Sequence, residues 1–131
     1  MRAYRETEYR VLGNVPAVLH VGVHCADLEV IQAAHQAHSS AFITACNPGG
    51  QLISDRRNAQ RQQLLLEELS GRGLAAIAGI GVHPTGEWRG EHSFLVPGLS
   101  RADACALGMK FEQNAIIWAG ADAIPELILL R

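Results

Sequence analysis

The sequence predicts a single α/β (α+β) domain over residues 1–131, a mixed β-sheet covered by about three helices in the rough order ββαβαββαβ. Three observations predict it. Short apolar, β-branched runs alternate with stretches of helical spacing. Clusters of Gly, Pro and Asn punctuate the boundaries between them. The length of 131 residues is that of one domain, enough to bury about two thirds of the surface an unfolded chain exposes. No internal repeat, linker or composition shift divides it.

The elements follow in order. Tyr4 to Leu12 reads as a polar edge strand, and Asn14-Val15-Pro16 as a turn. Ala17 to Val23 is apolar and β-branched, which suits a more central strand; the short connection favours an antiparallel hairpin. Asp27 is placed to cap a helix to about Ala37, with Leu28, Ile31 and Ala34 on one face. Ser40 to Cys46 reads as a strand, turned by Asn47-Pro48-Gly49-Gly50. Ser54 or Asp55 caps the clearest helix, which runs to about Ser70 and stops at Gly71 and Gly73. Leu74 to Gly81 is a small, apolar strand, so strand, helix and strand in series predict a right-handed parallel crossover. A loop from Val82 to Gly90 leads to the strand His92 to Val96. Ser100, with Asp103 three residues on, starts a third helix ending near Gly108. Ala115 to Ala119 is a strand, and Pro125 to Leu130 a last strand or a short terminal helix.

Composition narrows the function classes. Eleven basic residues against thirteen acidic ones give a net charge of −2, which argues against nucleic acid, whose binders carry a basic footprint. Arg56, Arg57, Arg61 and Arg72 are the only local case for it. Cys25, Cys46 and Cys105 are odd in number and form no CxxC, against a disulfide framework or a zinc ribbon. Reduced thiols suit a cytoplasmic protein. The N-terminal residues lack the apolar core of a secretory signal. The longest apolar stretch, Leu74 to Val82, is too short to span a bilayer, so no membrane partner is expected. Low charge and apolar content are compatible with a homo-oligomer.

The polar residues concentrate at one place. Asn47-Pro48-Gly49-Gly50 ends a strand and leads into the helix that starts near Ser54, the kind of junction where ligands gather in α/β sheets. Asn58, Arg61, Leu65 and Leu69 are spaced three, four and four apart and share one ridge. If Leu65 and Leu69 face the core, Asn58 and Arg61 point the same way at the end near the Asn47 loop. Arg61 could grip a carboxylate or phosphate in a bidentate fashion, which suggests an anionic small molecule as partner; Arg56 and Arg57 face solvent. On the following strand Glu91 and Ser93 alternate inward with Leu95, and an inward Glu needs a partner. Arg61 is the candidate, as an internal strut or as part of a binding site. In the Val82 to Gly90 loop Trp88 offers a stacking face, while His83 reads as solvated. Gln113 and Asn114 stand at a strand entrance, where amides read a ligand or tie down a loop. Thr44 and Cys46 flank the Asn47 turn; the thiol reads as a buried filler, with no base fixed beside it. His35 and His38, or His20 and His24, lack a carboxylate or thiol at ligand spacing, so no metal site is assigned. No HExxH, Walker loop, GxSxG or GxGxxG is present.

The motifs together resemble a bacterial family of short proteins catalogued as domain of unknown function 3293. Thr44-Ala45-Cys46-Asn47-Pro48, Asn58-x-x-Arg61 with Leu65, Trp88-x-x-Glu91-x-Ser93 and Phe111-x-Gln113-Asn114-Ala115 carry the resemblance. It starts at Tyr4 and Thr7-Glu8-Tyr9. The chain departs from the pattern at His83, where an acidic residue before Pro84 is expected, and at His92, where Pro is expected. The family supplies no activity to carry over, and the cofactor is left unknown. What the resemblance implies is a common polar site at the positions that spacing selects.

Two functions follow from this reading. One is a small-molecule or nucleotide/anion-binding domain with a polar site at the sheet edge, built from Thr44, Asn47, Asn58, Arg61, Trp88, Glu91, Ser93 and Gln113. The other is a non-enzymatic interaction or regulatory protein in which those residues are structural.

Overall fold

The computed structural model describes residues 6–83 and 90–131. Its elements are β1 (Glu8–Val11), β2 (Ala17–Leu19), α1 (Ala26–Ala34), β3 (Ser40–Ile43), α2 (Asp55–Gly71), β4 (Ile77–Val82), β5 (Glu91–Pro97), α3 (Arg101–Lys110), β6 (Ala115–Ala119) and β7 (Glu126–Leu129). The α/β class and the three helices are as the sequence predicts, and the C-terminal element is a strand. The seven strands form one sheet in the order β2-β1-β4-β5-β3-β6-β7.

Every ladder in that sheet is antiparallel. The strand–helix–strand crossover from β3 to β4 exists, but its strands are not neighbours. β5 inserts between them, antiparallel to both, so β3 and β4 run in the same direction one strand apart. Chain neighbours β4 and β5 pair directly, the commoner outcome for sequential strands. The edge assignment also reverses. β1 pairs on both sides, with β2 and β4, and β2 is the edge. Charged Glu8 and Arg10 made β1 look peripheral, yet they project from one face only, while Tyr9 and Val11 are buried on the other. Tyr4 lies outside the described residues.

Alternation along the strands builds two cores, one on each side of the sheet. Val11, Leu19, Phe42, Leu95, Ile117 and Ala119 meet Leu28 and Ile31 of α1. Ala41, Ile43, Val96 and Ile116 meet Leu65 and Leu69 of α2 and Leu107 of α3. Leu65 and Leu69 are fully buried, each stabilising the fold by about 1.5–3 kcal/mol. Where β4 crosses the first core the chain needs glycine. A methyl group on Gly79 would lie 2.7 Å from the Phe42 ring and 2.8 Å from the Arg10 carbonyl oxygen. The sheet curls until its two ends meet through backbone bonds, Gly22 N–H to the Pro125 carbonyl and Cys25 N–H to that of Ala123.

Helix boundaries follow local chemistry. Ser54 caps α2 by accepting from Arg57 N–H at 3.2 Å, and Ser100 caps α3 by accepting from Asp103 N–H at 3.1 Å. Asp27 does not cap α1. Cys25 occupies that position without a side-chain capping bond, and Asp27 sits in the first turn, where its charge suits the helix dipole. Ala34 is exposed; the residue α1 buries in addition is Gln32, whose amide accepts from Ser40 and donates to the Gly120 carbonyl. Gly108 does not end α3. It lets the helix lie against Ile116 and Leu130, which a side chain there would strike.

Candidate functional site

β3 stops at Ile43, and the chain then leaves the ladder. Residues Thr44 to Asn47 cross the end of the sheet without strand partners, so their backbone groups need others. Side chains supply them. The Ala45 N–H donates to Gln62 Oε1 at 2.6 Å, and the Asn47 N–H to Asn58 Oδ1 at 2.8 Å. The Cys46 N–H donates to the Thr44 hydroxyl at 3.1 Å, and that hydroxyl donates to the His92 carbonyl at 2.6 Å. The Ala45 carbonyl accepts from Arg61 Nε at 2.6 Å, and the Cys46 carbonyl from Gln113 Nε2 at 3.0 Å. Helix α2 and the β6 entrance thus hold this loop as a ladder strand would.

Arg61 does more than hold the loop. Its Nη2 donates to the Phe111 carbonyl at 2.5 Å, at the C-terminal cap of α3. A cation is favoured there because the helix leaves unpaired carbonyls and partial negative charge. Its Nη1 lies 3.5 Å from the exposed Glu112 carboxylate. The expected Arg61–Glu91 pair therefore does not form. The carbonyls of Ala45 and Phe111 stand within reach of the guanidinium and accept from its Nε and Nη2.

Glu91 has another partner. Asn47 Nδ2 donates to Glu91 Oε2 at 3.0 Å. The Asn47 Oδ1 accepts from Ile53 N–H at 3.2 Å and from Asn58 Nδ2 at 2.9 Å. One amide thus ties the loop, the approach to α2, α2 itself and β5 together. Its backbone is left-handed, φ 49°, a conformation asparagine tolerates better than most side chains. Burial raises the Glu91 carboxyl above its ordinary value, and the Asn47 bond lowers it by less. Burial also raises the Cys46 thiol, outweighing the Thr44 bond that favours the thiolate. That leaves Cys46 a poor nucleophile near neutrality, as its reading as a filler predicts.

The raised carboxyl has a sign that can be checked. Folded Glu91 keeps its proton in a pH window just above 4.5 where the unfolded chain has lost it. Its contribution to stability is therefore present below that window and lost as pH rises through it. We expect Glu91→Gln, which preserves an acceptor for Asn47, to be more stable than the native protein at pH 7 by about 1 kcal/mol, and to lose that advantage below the window. Urea midpoints measured against pH check this; an equal or lower midpoint at pH 7 contradicts it.

Of the residues selected by spacing, Thr44, Asn47, Asn58, Arg61, Glu91 and Gln113 come together around this loop. Ser93 is buried, but its hydroxyl turns back to the Glu91 carbonyl at 3.1 Å. Trp88 lies outside the described residues, as does most of its loop. His83 is not solvated: it is buried and its Nε2 stands 3.2 Å from a Glu6 carboxylate oxygen. Gln62 is the member that sequence reading missed. Its signal was present, since it stands four residues after Asn58, on the same ridge. An open hollow of about 450 Å³ lies elsewhere, beside Glu29, Gln32 and Gln36. The amide of its buried Gln32 is already bonded to Ser40 and Gly120. Among the described residues no group of His, Cys, Asp and Glu could hold a metal ion, and no helix is long and apolar enough to cross a membrane.

Comparison with known proteins gives a family match. The profile of a family described as Protein of unknown function (DUF3293) fits residues 43–116, more than half of the 131 residues. That stretch contains every side chain of the loop network from Thr44 to Gln113. No curated protein and no solved structure matches the chain.

Proposed function

We propose that this chain, which belongs to the family described as Protein of unknown function (DUF3293), binds a small molecule at the end of the sheet between β3 and β5. One observation carries the reading. Four side chains, of Asn58, Arg61, Gln62 and Gln113, hold a four-residue loop whose Asn47 meets a half-buried carboxylate, Glu91, that no cation neutralises among the described residues. Preorganised polar groups around one uncompensated charge are what a binding site needs, because the ordering cost is met before the ligand arrives. A thermal-shift screen with nucleotides, phosphorylated metabolites, carboxylates and amines tests it. A ligand at a hundred times its Kd adds about 2.7 kcal/mol, a rise in Tm of roughly 10 °C for a domain of this size. A flat screen across all four classes counts against binding.

A second reading, an interaction or regulatory protein, has its own support. The Asn58, Arg61 and Gln113 side chains direct their hydrogen bonds to the chain itself. Leu52, in the segment between that loop and α2, is 88% exposed. Under this reading Leu52→Ser lowers the mass seen by light scattering and leaves Tm unchanged.

A further inference from the structure

We infer that the ligand meets this site through a cationic nitrogen group, an ammonium or guanidinium, seated on the free oxygen of Glu91. The inference rests on the binding reading above and gives the site a sign opposite to the one Arg61 suggests.

An anion needs donors, and most of the donors here are turned to the chain's own carbonyls. Arg61 gives Nε to the Ala45 carbonyl and Nη2 to that of Phe111, and turns Nη1 towards Glu112. Gln113 Nε2 donates twice, to the carbonyls of Cys46 and Phe111. Asn58 Nδ2 is held by Asn47. The backbone N–H groups of Ala45, Cys46 and Asn47 all have acceptors. An incoming phosphate would find Arg61 Nε and Nη2 and both N–H groups of Gln113 already engaged, and would meet the Glu91 charge as well.

An acceptor remains. Glu91 Oε2 takes the Asn47 amide, and Oε1 has no partner among the described residues. It is not sealed away, since among the described residues no fully buried side-chain oxygen lacks a hydrogen bond. A carboxylate partly withdrawn from water and paired with only a neutral amide gains most from a cation, which favours its charged form. Asn47 fixes the carboxylate through its other oxygen, so the free one is already oriented.

The test uses the full chain and its Glu91→Gln variant. Each is titrated at constant ionic strength with ethylguanidinium, propylammonium and inorganic phosphate, and backbone amides are followed by NMR. A cationic probe should give saturable shifts at residues 45–54 and 91–93, weakened at least tenfold by Glu91→Gln. The stronger of the two cations tells guanidinium from ammonium. Saturation by phosphate and not by the cations overturns the assigned sign and leaves the binding reading standing. Cation shifts that survive Glu91→Gln overturn the role of Glu91. Silence from all three probes overturns this inference, while the thermal-shift screen decides the binding reading separately.

Discussion

Arg61→Ala should cost about 3 kcal/mol and lower Tm by roughly 10 °C. The Arg61 side chain is only 23% exposed and supplies charged donors to two carbonyls, at 2.6 Å and 2.5 Å. Truncation leaves the Ala45 carbonyl with no partner where the loop crosses the sheet end. The Phe111 carbonyl keeps Gln113, so the cost falls mainly on the loop. Arg61→Lys recovers part of the loss at most, because an ammonium cannot serve both carbonyls as the planar fork does. Glu112→Ala should cost well under 1 kcal/mol, since that carboxylate is 58% exposed and 3.5 Å away. Adding Glu91→Ala to Arg61→Ala should rescue nothing. The two residues share no direct hydrogen-bond partner, so their effects should add. Chemical denaturation of the four variants checks the set; a native-like midpoint for Arg61→Ala would sink the role of Arg61 in holding the loop.

This pattern shows what the sequence could tell and what it could not. Spacing along α2 correctly put Asn58 and Arg61 on the ridge of Leu65, because helical geometry is local and periodic. It also brought the Asn47 turn to the start of that helix. Pairing was a different matter. Arg61 was matched with Glu91 on charge, but its strongest acceptors are backbone carbonyls, which no side-chain pattern reveals. Strand order failed for a similar reason. The insertion of β5 between β3 and β4 depends on contacts distant in sequence, whereas the helix and strand segments depend on neighbours. His83 reads as solvated only until Glu6, far away in the chain, is seen beside it.

Asn47→Asp turns the same geometry into a second large effect with a pH signature. The substitution suits the left-handed backbone, since aspartate visits that region nearly as readily as asparagine. It keeps an oxygen for Ile53 N–H and Asn58 Nδ2. What it removes is the donor that faces Glu91 at 3.0 Å, replacing it with a second carboxylate. Two carboxylates at that distance cannot both ionise cheaply, so the folded pair retains a proton that the unfolded chain releases. Stability should therefore fall as pH rises from about 4.5, with a loss of roughly 2–3 kcal/mol by pH 7 that is largely absent in acid. Adding Glu91→Gln to this variant rebuilds the pair with the roles exchanged: the new amide donates and the new carboxylate accepts. The double variant should then recover about 2 kcal/mol at pH 7, more than Glu91→Gln gains in the native background. That surplus is the coupling energy of the contact. Equal gains in the two backgrounds would mean that Asn47 and Glu91 do not act as a pair, and the orientation of the free Glu91 oxygen would lose its cause.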